Sequence, residues 1–191
     1  LPAGSTIERT LLTLTDVGAG YRDLFNAAPR IGNPGASGAC NVNVVCPLGQ
    51  PYTAEERALA YYEFRADNGT TYICTATLLS DVPADRKNYV LTAAHCMSTA
   101  SEVATMRLYW NYQSTNCAIN TGISFTQNHT GAALRATRAD ADFTLVELNQ
   151  NPDPSWNLFH AGWDASGVAP SGSIGLHHPS SYVAKVNLSP V

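Results

Sequence analysis

Short apolar runs separated by turn residues recur along most of this 191-residue chain. Five stand out: TYICTATLL at 71–79, NYVLTAA at 88–94, ATMRLYWNY at 104–112, ALRAT at 133–137 and DFTLVEL at 142–148. Their β-branched and aromatic content, and the Gly, Asn and Asp breaks between them, predict the strands of an all-β barrel or sandwich. SIGLHH at 173–178 predicts another strand after a loop-like aromatic stretch at 149–172, and no terminal strand or helix stands out beyond it. Upstream, TIERTLLTLT at 6–15 alternates Leu12 and Leu14 with Thr13 and Thr15, which predicts a strand. Residues 26–40 are dense in Gly, Pro and Asn and read as a linker, with a boundary near residue 35. Thr53-Ala54-Glu55-Glu56 has the form of a capping box. The following ERALAYYEF reads as a turn of helix and then a strand, with Ala60, Tyr62 and Phe64 on one side and Tyr61, Glu63 and Arg65 on the other.

Composition narrows the class. Charged residues make up 14% of the chain, against roughly 25% in soluble domains, and Thr, Ser, Asn and Gly fill the deficit. A coiled coil needs more charge, and a disordered tail needs less apolar content. A net charge of −4 without a basic run argues against a nucleic-acid partner. No apolar stretch nears the ~18 residues of a membrane span. The mix reads as a secreted protein, its leader already removed, since residues 1–20 show no signal peptide. Asn68-Gly69-Thr70 and Asn128-His129-Thr130 match the common glycosylation acceptor pattern.

The five cysteines are Cys40, Cys46, Cys74, Cys96 and Cys117. None is spaced as a zinc knuckle or a dithiol redox site, so disulfides are favoured, and one cysteine must be left over. No metal and no cofactor is expected.

Candidate chemistry concentrates in two segments. Leu91-Thr92-Ala93-Ala94-His95-Cys96 ends a predicted strand, where small neighbours leave an imidazole free and a cysteine can staple the turn. Cys74, on the preceding predicted strand, is the natural partner, and closing that loop stabilises by roughly 3 kcal/mol in the chain-entropy model. The second segment is Ala139-Asp140-Ala141-Asp142 followed by the alternating Phe143–Leu148. A carboxylate buried where a strand opens needs a donor, and an imidazole N–H would supply one while leaving the other ring nitrogen free as a base. The plainer alternatives are a structural histidine beside a disulfide, and two aspartates that merely cap a turn.

Taken in order, TAAHC at 92–96 and DFTLVEL at 142–148 resemble the His and Asp segments of chymotrypsin/trypsin-fold serine proteases. The similarity narrows to the bacterial lysyl endopeptidase group through GASGACNVNVVCP at 35–47, DRKNYVLTAAHC at 85–96, LYWNYQSTNC at 108–117, NLFHAGWD at 157–164 and IGLHHP at 174–179. The resemblance implies an all-β, chymotrypsin-like double β-barrel with the first barrel present and the second incomplete. Residues 1–34 would be an N-terminal extension or propeptide remnant, 35–150 the first barrel and 151–191 the start of the second. Arg30-Ile31 is a conceivable processing bond. The implied activity is secreted serine endopeptidase, with His95 as general base and Asp142 orienting it, acting on peptide or protein substrates with Lys-type specificity. The implied bridges are Cys74–Cys96 and Cys46–Cys117. Cys40 would be unpaired here and joined to a C-terminal segment or second chain.

One departure matters. In this fold the nucleophile follows the aspartate in a Gly-x-Ser-Gly segment that also builds the oxyanion hole. Gly35-Ala36-Ser37-Gly38 precedes both His95 and Asp142 and reads as a decoy, and Ser171-Gly172-Ser173 lacks the preceding glycine. The expectation is that the serine lies outside this chain, which alone should be inactive. The rival reading is a non-catalytic pseudoprotease or fragment acting as a binding or assembly module. His177 and His178, adjacent on a strand, point to opposite faces and cannot converge on one ion. His129 and His160 read as solvated loop histidines. Trp110, Trp156 and Trp163, like Tyr61 and Tyr62, read as packing residues.

Overall fold

The computed structural model describes residues 37–38, 40–83, 87–179 and 182–190, and nothing is said of the side chains of 189 and 190. The strand expected at 6–15, the extension 1–34 and Arg30-Ile31 lie outside the described residues. Among the described residues ten strands are found: β1 (Val42–Asn43), β2 (Leu59–Arg65), β3 (Thr71–Leu79), β4 (Tyr89–Thr92), β5 (Arg107–Trp110), β6 (Asn128–Thr130), β7 (Ala132–Arg138), β8 (Phe143–Leu148), β9 (Gly172–His177) and β10 (Lys185–Pro190). Two short helices accompany them, α1 (Thr53–Glu56) and α2 (Ala100–Ala104). The architecture is all-β, as the strand pattern predicts.

Seven strands form one sheet in the order β6-β5-β2-β3-β4-β8-β7. Its two end strands are separated in sequence by Gly131 alone: β6 pairs with β5 and β7 with β8. The sheet therefore curls until its ends are two halves of one bent strand. Gly131 makes the bend at φ +79°, its N–H donating to the Met106 carbonyl at 2.7 Å. A Cβ there would sit 2.7 Å from the Asn149 amide nitrogen, so both the conformation and the space call for glycine. Inside the curl Tyr62, Phe64, Leu78, Val90, Trp110 and Val146 form the centre of a core, each at most 1% exposed.

The second sheet has three strands in the order β1-β10-β9, all antiparallel. Here the structure departs from the sequence expectation. β10 is a full strand where none stood out, and Val42–Asn43 pair with it although they lie far upstream. In β10, Val186 and Leu188 share one side of the strand, yet only Val186 is buried and Leu188 is 55% exposed, while Lys185 and Asn187 on the other side are polar, so the strand carries little apolar signal. The buried Lys185 ammonium donates to the Asn43 side-chain carbonyl, and the Asn43 amide donates to the carbonyls of Asn116 and Cys117. That chain of bonds ties the small sheet to the Cys46–Cys117 bridge.

Two helical details also differ. Thr53 does not cap α1, because a 3-10 turn at Gln50–Tyr52 precedes it and Thr53 already has helical angles of −65° and −20°. An N-cap residue must leave the helical region to turn its hydroxyl onto the first N–H groups. The true capping box is at α2, where Thr99 accepts from the Glu102 N–H and Glu102 accepts from the Thr99 N–H.

β2 is buried on both faces and holds the two sheets together. Ala60, Tyr62 and Phe64 enter the curled core, while Tyr61 packs with Tyr109, Tyr112 and Val183 on the opposite face. His178 completes this second cluster, its ring edge-on to Tyr61 at 5.8 Å and tilted against Tyr112 at 5.5 Å. Its backbone N–H donates to the Thr75 hydroxyl on β3 at 2.9 Å, and its Nδ1–H donates to the Tyr182 carbonyl at 3.1 Å. Burial pushes the His178 imidazole from the ordinary 6.5 down to about 4.

The pH dependence follows with a definite sign. Below 6.5 the unfolded imidazole takes up a proton that the buried one resists, so the unfolded state binds more protons and stability falls as pH drops from 6.5 to about 4. The loss over that window should reach about 3 kcal/mol and then level off. His129 and His177 are also lowered by burial and act in the same direction. Urea midpoints at pH 7 and pH 4.5 should therefore differ strongly in the natural sequence and distinctly less in His178→Gln; equal differences would refute the assignment.

Candidate active site

His95 and Asp142 are 47 residues apart in sequence and are brought together by the pairing of β4 with β8. β4 ends at Thr92, and residues 93–97 turn back, with the Cys96 and Met97 N–H groups directed at the Ala93 carbonyl at 3.2 and 3.5 Å. Within that turn Cys96 is bridged to Cys74 on β3, and the Met97 side chain is 1% exposed in the core. His95, just ahead of both, is left on the surface, its side chain 70% exposed.

Asp142 sits just ahead of β8 at φ +48°, a left-handed conformation that aspartate tolerates better than most residues. Its N–H donates to the Ala139 carbonyl at 3.3 Å, and the preceding turn is held by Arg138, whose guanidinium makes two bonds of 2.7 and 2.8 Å to Asp140. Asp140 is thus the turn residue, and Asp142 is aimed elsewhere. One Asp142 oxygen accepts the His95 backbone N–H at 2.9 Å, and the other lies 2.7 Å from His95 Nδ1. With a carboxylate as acceptor, Nδ1 carries the proton and Nε2 keeps its lone pair. The His95 backbone N–H, then its ring, and in addition the Ala94 N–H, hold the Asp142 carboxyl below the ordinary carboxylate value.

Behind the pair lie buried hydroxyls that the sequence reading passed over. Thr92 and Thr144 are cross-strand partners. Thr92 donates to the Thr75 carbonyl at 3.0 Å and bonds the Tyr62 hydroxyl at 2.8 Å, while Thr144 donates to the Met97 carbonyl at 2.8 Å. The signal was present: Thr144 occupies a core-facing position in an alternating strand, where a hydroxyl must find a partner.

The other candidates fall out as follows. Both expected bridges, Cys74–Cys96 and Cys46–Cys117, are formed, and Cys40 is unpaired and exposed. His129 is buried, not solvated: β6 turns it inward, where Nδ1 accepts the Trp110 indole N–H at 3.0 Å. His160 is half-buried rather than solvated. Trp110 and Trp156 pack at the main core as expected, whereas Trp163 is 59% exposed. Among the described residues no group of three His, Cys, Asp or Glu side chains could hold a metal ion. A cavity of about 430 Å³ lined by Val45, Gln50, Thr53, Glu56, Arg57 and Gln113 shares no residue with the His95–Asp142 pair.

The family profile described as "Lysyl endopeptidase, C-terminal domain" matches residues 34–190. The chain belongs to that family. The lysyl endopeptidase of Pseudomonas aeruginosa is 34% identical over 171 residues, covering 84% of this chain. The chain spans 34% of that relative's length. A solved structure titled "Structure of GrC" superposes with a TM-score of 0.49 at 17% identity, covering 77% of this chain and 63% of that one. Among the described residues no helix is long and apolar enough to cross a membrane.

The contacts at Asp142 make a prediction that needs no turnover. In a carbon-13 carboxyl titration, Asp142 should have its midpoint below that of an ordinary aspartate. His95→Ala should raise that midpoint without restoring the ordinary value, because the backbone N–H of residue 95 remains. No movement in the variant would mean that the ring does not engage the carboxylate in solution.

Proposed function

We propose that the protein is a secreted serine endopeptidase of lysyl specificity. On this reading residues 35–150 form its first barrel, 151–191 open its second, and residues 1–34 end an N-terminal extension. The observation that carries the reading is the 2.7 Å contact of His95 Nδ1 with Asp142, which leaves Nε2 free on an open surface. The nucleophilic serine and the oxyanion hole come from polypeptide outside residues 1–191. That serine's hydroxyl gives its proton to His95 Nε2 as its oxygen attacks the peptide carbonyl. Asp142 holds the ring and balances the charge the imidazolium acquires. The same proton then passes to the departing amine, and a water repeats the sequence on the acyl-enzyme. Residues 1–191 alone are inactive on this account. Lysyl specificity is inferred from the family and from the name of the Pseudomonas aeruginosa relative. Two disulfides support an oxidising, extracellular setting, and the Pseudomonas aeruginosa relative supports a bacterial origin.

We further infer that exposed Cys40 bonds a cysteine outside residues 1–191, either later in the same polypeptide or on a second chain released by cleavage. Nucleic acid and membrane have no part in the reading.

A serine-directed phosphonylating reagent applied to the intact protein should label one serine outside residues 1–191. His95→Ala should slow that labelling by about 10³-fold or more. Labelling at Ser171 or Ser173, or labelling indifferent to His95, would overturn the assignment. Absence of any labelling would favour a non-catalytic binding module. A peptide map of unreduced protein should show the Cys40 peptide joined to one from outside residues 1–191; a free Cys40 thiol would refute the link.

A further inference from the structure

We propose that Thr144 is a positioning residue for the His95–Asp142 pair, acting through the Met97 carbonyl; this rests on the reading of that pair as catalytic. The inference begins with how little else holds the two side chains. His95 is 70% exposed and Asp142 is 52% exposed, so neither is fixed by packing around its own side chain. Each depends on the backbone beneath it. Asp142 is two residues ahead of Thr144 on the chain that enters β8, and His95 is two residues ahead of Met97 in the turn that leaves β4. The bond from the Thr144 hydroxyl to the Met97 carbonyl, 2.8 Å long and buried, joins these two backbones at matched distances from the site.

Three features make that bond more than core satisfaction. Thr144 has one hydroxyl proton and gives it to Met97, so its oxygen is left to accept from Thr137 at 2.8 Å. The run Thr137 to Thr144 to Met97 therefore has one direction, and each bond polarises the next. Thr137 stands on β7 directly across from Thr144, so the run crosses β7, β8 and the histidine turn in one line. Finally, Thr92 and Thr144 face each other across β4 and β8. The two hydroxyls grip the histidine turn at both ends, Thr92 before it and Thr144 after it. Thr92 secures the turn to β2 and β3, which carry no site residue. Thr144 ties the far end of the turn to the strand that Asp142 opens, in the core, while the His95 N–H ties its near end to Asp142 at the surface.

Thr144→Val keeps the shape and removes the donor, whereas Thr144→Ser restores it. In the intact protein acting on a lysyl peptide, Thr144→Val should lower kcat about tenfold while KM stays within about twofold, because the loss is one of alignment and not of substrate contact. Thr144→Ser should recover most of kcat. In the folded state of Thr144→Val the Asp142 carboxyl titration should move up towards the ordinary value, a change that a purely stabilising role would not produce. Should the valine variant fail to fold, Thr144→Ala takes its place, since it sets no methyl against the Met97 carbonyl. His95→Ala runs in parallel. If it leaves hydrolysis intact, the catalytic reading fails and the proposal with it. If it abolishes hydrolysis while Thr144→Val retains kcat and an unmoved Asp142 titration, the positioning role alone is overturned.

Discussion

The register between β4 and β8 is the constraint on which the site depends. Thr92 faces Thr144 and Val90 faces Val146, and this pairing sets the end of one strand beside the start of the other. Side chains alternate with a period of two, so a slip of one residue would turn Thr144 to the opposite face and carry Asp142 away from His95. Holding the site together means closing a loop of 47 residues, an entropic cost that grows only slowly with length but must be met before the His95–Asp142 contact forms. Val90 and Val146, both fully buried, meet it with apolar contact, and Cys74–Cys96 fastens the histidine turn to the neighbouring strand.

The same reasoning explains why the curled sheet needs a second one. A strand with apolar side chains on both faces cannot leave either in water, and β2 has Tyr62 on one side and Tyr61 on the other, both at most 1% exposed. The Tyr61 face is covered by Tyr112, in the loop after β5, and by His178 and Val183, in the connection between β9 and β10. β1 and β10 are in turn tied to the loop at 114–117 through Asn43 and Cys46. The chain thus binds its first described strand to its last, so the two sheets stabilise each other rather than hanging from a linker.

How much of this could be read beforehand depended on how local each cause was. β3 and β8 are self-contained alternations, and their bounds at 71–79 and 143–148 follow from the pattern alone. His95 and Asp142 were legible because each lies in a contiguous segment whose neighbours serve the same site. β10 was not, since its apolar side is buried only at Val186, its other side carries Lys185 and Asn187, and its partners lie at residues 42–43 and in β9. His129 was hidden for a similar reason: its neighbours Asn128 and Thr130 are exposed and polar, and the indole that holds it is 19 residues upstream. α2 lay between the runs at 88–94 and 104–112 that read as strands, touching the second only at Ala104, although Thr99 and Glu102 carried its capping signal. Thr144 was overlooked because a threonine in a strand satisfies β propensity so well that its hydroxyl attracts no question.

Exposure of the His95–Asp142 pair bears on how the site could work. An ion pair in open water gains little from its charges, so the His95–Asp142 contact cannot be what keeps its own members in place. The order of cause runs the other way: the buried threonines, the disulfide and the strand register fix two backbones, and the exposed side chains then meet because they have nowhere better to go. Asp142 adds to this by spending one oxygen on the His95 backbone N–H, a bond that fixes the carboxylate whatever the ring does. On the proposed reading, a base arranged in this way is oriented before any substrate arrives. Its power to stabilise developing charge would still rise on removal from water, since electrostatic interactions strengthen as the local dielectric falls. On the proposed reading, the polypeptide that brings the serine therefore does two things at once. It supplies the nucleophile, and it covers the open face of His95, converting a pair that is merely well aligned into one whose charges count.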